Sequence, residues 1–316
     1  MTRAAAIVAV LAAATVARAE APPPVKALKI TILSTMLADA GVGEWGFSAL
    51  VEVDGHRLLF DTGARPDTVL TNAAELKIDL STVEEVVLSH NHSDHTGGLL
   101  TLRRALAKKN PAALSRVHVG QGIFASRPDG KAEGNTMLEG RARLLAAGVK
   151  LIEHDAPVQL YPGVWLTGPV PRVHPERNWS GSGQLVGPSG LVEDTIPEDQ
   201  SLVFDTPSGL VLLSGCGHAG VINTAEYARK VVRAAPLHAA VGGFHLFPLD
   251  DEKLAWTIGK LRELGLQQLL GAHCTGLEAV RRVQDGLKLS RRACRVGAVG
   301  ASFTLGTGID PLRIAR

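Results

Sequence analysis

One stretch limits what this chain can fold into more than any other: Ser89-His90-Asn91-His92-Ser93-Asp94-His95-Thr96-Gly97-Gly98. It continues the apolar run Glu85 to Ser89, which reads as a short strand, and leads into a helix ending near Lys109. His90 and His92 stand two apart at the strand end. In extended backbone such side chains point to the same side, so both imidazoles can reach one ion. Asp94 and His95 fall where the chain turns toward the helix, and they can face a second ion. Imidazole and carboxylate together suit zinc, and also manganese or iron. The bland alternative is a polar loop that happens to contain histidines. Three His and one Asp within six residues, straight after an apolar strand, argue against it. Gly97 and Gly98 let the backbone pass close to the site.

The surrounding pattern is α/β. Leu28 to Ser34 reads as a strand, and Phe47 to Val53 with His56 to Phe60 as a hairpin turning at Asp54-Gly55. Pro66 to Leu76 reads as a helix and Val117 to Gly120 as a strand. Glu139 to Ala147 is expected to be helical, with Val149 to Ile152 and Val164 to Thr167 as strands. Residues 172–197 are rich in Gly, Pro and Ser and read as a loop insertion lining a pocket. A second hairpin follows, Ser201 to Asp205 with Leu210 to Ser214. Helices Asn223 to Ala234, Asp250 to Leu264 and Gly276 to Leu287 alternate with strands Ala239 to Gly242 and Gln268 to Gly271. The end, Arg295 to Leu305, reads as extended. Hairpins thus open each half and strand–helix units follow, as in two sheets packed face to face with helices outside.

The His-X-His-X-Asp-His pattern resembles the signature of the metallo-β-lactamase superfamily. Phe60-Asp61-Thr62-Gly63 is similar to its first motif, Leu213 to His218 to its bridging-ligand motif, and Leu270-Gly271-Ala272-His273 to its last. Within the superfamily, five further marks resemble the archaeal-type dihydropterin–ribofuranosylaminobenzene phosphate synthase group. They are Trp45 to Ser48, Leu88 to Leu99, Gly215 to His218, Gly242 to Leu246 and His273 to Gly276. The resemblance implies a four-layer α/β/β/α sandwich of two mixed β-sheets with outer helices. It implies that Asp61 supports the metal loop without binding metal, and that His273 serves the second metal. The chain departs from the family pattern at Pro197-Glu198-Asp199-Gln200-Ser201, where a His is usual, and at Cys216, where Asp is usual. His218 is then the candidate for the third His of the first metal site. Cys216 is a thiolate ligand of the second metal, a small buried residue, or a partner of Cys274 in a disulfide. His245 is a further ligand, a substrate hydrogen-bond donor or a structural strand-end His. Glu44, Arg172 and His174 are candidates for substrate contact or plain loop residues. His56, His118, His154 and His238 read as surface or packing residues.

These readings give a metallo-hydrolase with two divalent ions, zinc first and manganese or iron as alternatives. The ions lower the pKa of a water, whose hydroxide attacks a carbonyl or phosphorus of a small-molecule substrate. Asp94 binds one ion and orients the nucleophile or carries its proton. The alternatives are a non-hydrolytic pterin-type synthase, an iron redox enzyme, and a binding protein that keeps the fold without catalysis.

At the N-terminus, Arg3, the apolar run Ala4 to Ala17 and Ala17-Arg18-Ala19 read as a signal peptide, 1–19, cleaved after Ala19. The run is short for a bilayer span, which takes roughly 20 residues. A Pro-rich leader (20–27), the folded domain (28–305) and a C-terminal tail (306–316) would follow, placing the protein in the periplasm or outside the cell without a stable membrane anchor. Net charge is +2, and losing Arg3 and Arg18 brings it near zero. With no basic block, a nucleic-acid partner is not expected. Three cysteines, Cys216, Cys274 and Cys294, cannot form a complete disulfide framework.

Overall fold

The computed structural model describes residues 23–178 and 183–315. The expected signal peptide and the first three residues of the leader lie outside them. No described helix is long and apolar enough to cross a membrane.

Two mixed sheets dominate. The first has eight strands in the order Gly308–Asp310, Ser302–Thr304, Leu28–Ser34, Ser48–Val53, His56–Phe60, Glu85–Val87, Arg116–Gly120, Lys150–His154. The second has seven, in the order Cys294–Val296, Gln268–Gly271, Leu237–Gly242, Gly209–Ser214, Leu202–Thr206, Val164–Leu166, Val158–Tyr161. Each pairs antiparallel in its hairpins and parallel in its strand–helix units.

The period-two alternation of strand side chains makes the layers. In Leu202–Thr206, Leu202 and Phe204 point into the apolar seam between the sheets, while Val203 points to the helices. In Gly209–Ser214, Val211 and Leu213 face the seam and Leu210 and Leu212 face outward. The first sheet does the same, with Ile30 and Ile32 inward and Leu33 outward. Its outer face packs on helices Thr68–Glu75, Leu99–Leu106 and Thr136–Ala146 through Val69, Leu102 and Leu144. The outer face of the second sheet packs on Val221–Val231, Asp251–Glu263 and Leu277–Leu287 through Ile222, Leu254 and Val283. The result is the four-layer α/β/β/α sandwich.

Three segments differ from expectation. Residues 172–197 are not all loop. Gln184–Gly187 pairs antiparallel with Gly190–Glu193, because Pro188-Ser189 makes a turn that the composition disguised. The stretch 306–316 is not only a tail, since Gly308–Asp310 adds an edge strand to the first sheet across the turn at Gly306. Val158–Tyr161 is a strand the pattern did not show, being half-buried along its whole length.

Candidate metal centre

The candidate ligands and their support Asp61 follow the carboxyl ends of strands. Asp61 follows His56–Phe60, and His90 lies just beyond Glu85–Val87. Cys216 and His218 follow Gly209–Ser214, His245 follows Leu237–Gly242, and His273 follows Gln268–Gly271. Parallel strands bring such ends to one edge of the sandwich, where α/β folds hold their ligands.

The histidines fall into two adjoining clusters. His90, His92 and His218 form the first, with ring centroids 4.6, 4.7 and 4.9 Å apart. Asp94, His95 and His273 form the second. Nε2 of His273 is 3.2 Å from Asp94 Oδ2 and 3.3 Å from His95 Nε2. Cys216 Sγ stands between them, 3.2 Å from His95 Nε2 and within 4.8 Å of donors from His90, His218 and His273. His218 thus stands together with His90 and His92. His245 lies beside the first cluster, its ring 4.7 Å from that of His218, and is half-exposed.

Supporting hydrogen bonds fix which nitrogens face inward. Ser89 Oγ donates to Asp61 Oδ2 at 2.7 Å, so it can accept from His90 Nδ1 at 2.9 Å. His218 Nδ1 donates to the carbonyl of Asn178. Both rings then present a bare Nε2, and in both that atom is buried with no hydrogen-bond partner. A buried acceptor without a partner is costly. Imidazoles held through Nδ1 with Nε2 free are the arrangement of metal-binding histidines. The donor set thus fits divalent cations.

Asp61 is fully employed as a support. Oδ1 accepts the Ser89 N–H at 2.7 Å, and Oδ2 accepts both Ser89 Oγ and His95 Nδ1 at 2.7 Å. Its own backbone is left-handed, with φ 56°. Neighbouring glycines allow this packing. A Cβ on Gly215 would lie 2.2 Å from Ser89 Oγ, and one on Gly97 would lie 2.0 Å from the Ala64 carbonyl. His245 and His273 also adopt positive φ, 48° and 46°. For non-glycine residues such strain gathers at functional sites.

Electrostatics divide the two clusters. Burial, then the neighbouring imidazoles, push His90 well below its ordinary value, and burial brings His92 down to about 4. Burial and its histidine neighbours hold His218 well below as well. In the second cluster burial is outweighed: the carboxylates of Asp94 and Asp61 raise His95 to about 9. Burial likewise fails to raise Asp94, which His95 and His273 keep below the usual carboxylate range. Asp94 is 21% exposed, whereas the His95 and His273 side chains are closed to solvent. It is the member of its cluster that reaches water.

The stretch lacking the usual His has another use. Glu198 is buried, accepts the Asn91 N–H at 3.3 Å and pairs with Arg127 at 2.8 Å. Gln200 donates from Nε2 to the Leu88 carbonyl at 2.8 Å, and its N–H to that of Ser89 at 3.0 Å. This segment braces the metal loop from behind. Glu44 is not available to substrate: it is buried and accepts from Ser34, Ala64, Arg65 and Thr68. His174 pairs with Glu226 at 2.8 Å, and Arg172 donates to the carbonyls of Thr195 and Ile196. The cysteines are free; Cys216 and Cys274 are 3.2 Å apart at sulfur, well beyond a bond of about 2.05 Å. His118 and His154 stack on each other at 5.2 Å away from the centre.

A four-layer sandwich carrying two adjoining His-rich clusters at its strand ends defines a class of metal-binding α/β/β/α proteins. The chain belongs to the metallo-β-lactamase superfamily, whose family model matches residues 46–221. It is similar to the 7,8-dihydropterin-6-methyl-4-(β-D-ribofuranosyl)-aminobenzene-5'-phosphate synthase of Methanocaldococcus jannaschii. The two are 28% identical over 250 residues, 77% of this chain and 85% of that protein. Among solved structures it resembles a metal-dependent hydrolase of the β-lactamase superfamily, with TM-score 0.70 and 25% identity, over 92% of this chain and 100% of that one. Zinc-bound PqqB from Methylobacterium extorquens shares the fold at TM-score 0.52 and 14% identity, over 87% of this chain and 99% of that one.

Proposed function

We propose that the chain is a metal-dependent hydrolase acting on a carbonyl or phosphoryl centre of a small molecule, with two divalent ions, zinc before manganese or iron. The observation that carries this reading is the pair of buried, partnerless Nε2 atoms on His90 and His218, next to a second cluster of different donors. His90, His92 and His218 would hold one ion, and Asp94, His95 and His273 the other, with Cys216 between them. Divalent ions at these positions would supply Lewis acidity and lower the pKa of a bound water toward neutrality. Asp94, ionised and reaching solvent, would orient the attacking water. His245, beside the first cluster, offers a hydrogen bond to substrate. Ser89, Asp61 and Asn178 keep the imidazoles turned inward. The Arg3 and Ala17-Arg18-Ala19 pattern supports export before the protein acts.

The test is metal content and turnover together. The purified chain should carry about two zinc ions and hydrolyse a member of an ester, lactone, lactam or phosphodiester panel. His92→Ala should lose metal from the first cluster and all turnover. An active, metal-replete His92→Ala protein contradicts the assignment. A second reading, condensation as in the archaeal synthase, draws on the 28% identity to it. Labelled water separates the two, since hydrolysis puts its oxygen into product and condensation does not.

A further inference from the structure

Behind the candidate ligands lies a sulfur that the proposed function does not use. Cys274 follows His273 in the 3-10 turn His273–Thr275 and is 1% exposed. Its Sγ is 3.2 Å from Cys216 Sγ, and the two sulfurs lie with a His273 nitrogen inside 4.8 Å of one another. Cys216 Sγ is in turn 3.2 Å from His95 Nε2, which is 3.3 Å from His273 Nε2. Ligand atoms around one tetrahedral zinc stand roughly 3.3–3.8 Å apart, given bonds of about 2.3 Å to sulfur and about 2.0 Å to nitrogen. The 3.2 and 3.3 Å separations along the chain Cys274–Cys216–His95–His273 are close to that shell. The His245 N–H also donates to Cys274 Sγ at 3.3 Å, a contact that favours negative charge on sulfur. Gly243 makes the room, since a Cβ there would lie 2.9 Å from the same sulfur.

We propose that Cys274 joins Cys216 as a thiolate ligand of the second cluster, which then takes a thiophilic divalent cation, zinc or its surrogate cobalt, in preference to manganese or magnesium. Thiolate donors favour such ions, and oxygen donors favour magnesium and manganese. Each thiol loses its proton to solvent as its sulfur–metal bond forms, and no electron is transferred. The inference rests on the metal-centre reading above and is independent of whether the reaction is hydrolysis.

The experiment uses the full chain, stripped by chelator under reducing conditions and reloaded with cobalt(II). The loaded protein should show near-ultraviolet sulfur-to-cobalt charge-transfer absorption that added manganese does not displace. Cys274→Ser and Cys216→Ser should each keep about half of it, one thiolate of two. Cys294→Ser, altering a thiol that bonds to the Val280 carbonyl instead, should keep all of it. Persistence of the visible cobalt bands of the His90–His92–His218 cluster shows that each variant is folded. Full absorption in Cys274→Ser, or cobalt uptake without the thiolate band, overturns the inference and leaves the metal centre standing. So does finding only one alkylatable thiol in the denatured, unreduced protein, because the other two would then be a disulfide. Failure to take up cobalt at all overturns both.

Discussion

Asp61 shows how much of a candidate metal site can depend on a carboxylate whose oxygens are occupied by hydrogen bonds to its neighbours. It turns His95 inward and holds Ser89, which in turn fixes His90, so a single carboxylate governs one ligand in each cluster. Loss of such a support costs about 10–100-fold in metal affinity. Asp61→Ala should therefore weaken zinc binding by that factor, read by competition with a chromophoric chelator. Unchanged affinity would mean that the ligands are oriented by other contacts. His95 gives a second expectation. Without metal, Asp94 and Asp61 hold it at about 9, against its unfolded value of 6.5. A raised histidine contributes stability that is complete below 6.5 and lost as pH rises through about 9. Glu198, pushed up to about 7 by burial, loses stability on ionising between 4.5 and about 7, so its contribution falls mostly below the His95 window. The melting temperature of the metal-stripped chain should fall between pH 6.5 and 9, and the fall should shrink when zinc occupies His95. A metal-free melting temperature that climbs over that range would contradict the pairing of His95 with its carboxylates.

Between elements, the clearest device is the Arg127 clamp. Arg127 reaches Asp194, beyond the hairpin strand Gly190–Glu193, at 2.6 Å and Glu198 behind the metal loop at 2.8 Å, all three being buried. Arg127→Ala would leave two buried carboxylates without their cation, a loss of about 3–5 kcal/mol. Urea unfolding measures it, and a loss near that of a surface pair would mean the clamp is hydrated in solution. This clamp was not legible in the sequence, because Arg127, Asp194 and Glu198 are far apart along the chain and no period links them. What was legible is local. His90 to His95 announced themselves by spacing, the Asp54-Gly55 turn by its residues, and Gln268–Gly271 by its apolar run between breakers. The Gln184–Gly187 and Gly190–Glu193 hairpin hid because its strands are short and mostly exposed, so burial printed no alternation on them. Glu44 misled for the opposite reason. A lone acid near a site looks available, and only the fold reveals four donors converging on it.

Taken as a whole, the molecule divides its candidate metal ligands between its two sheets. His90, His92, Asp94 and His95 issue from the eight-stranded sheet, and Cys216, His218 and His273 from the seven-stranded one. Metal binding should therefore resist separation of the layers. An ion present at a hundred times its dissociation constant adds about 2.7 kcal/mol to the folded state. Chelation should lower the calorimetric melting temperature of the whole domain in one cooperative transition. A chelator that leaves it unmoved would mean the folded and unfolded chains bind the ion alike. The division also has a consequence in time. His95 and His273 meet across 178 positions, a closure that belongs to the late, non-local part of folding. A chain still emerging from the ribosome exposes the His-X-His loop long before its partners exist, and that loop alone offers an ion only a few donors. If these residues hold an ion, its selection would wait until the last strand–helix unit docks, so the finished fold, rather than the motif, would choose the metal.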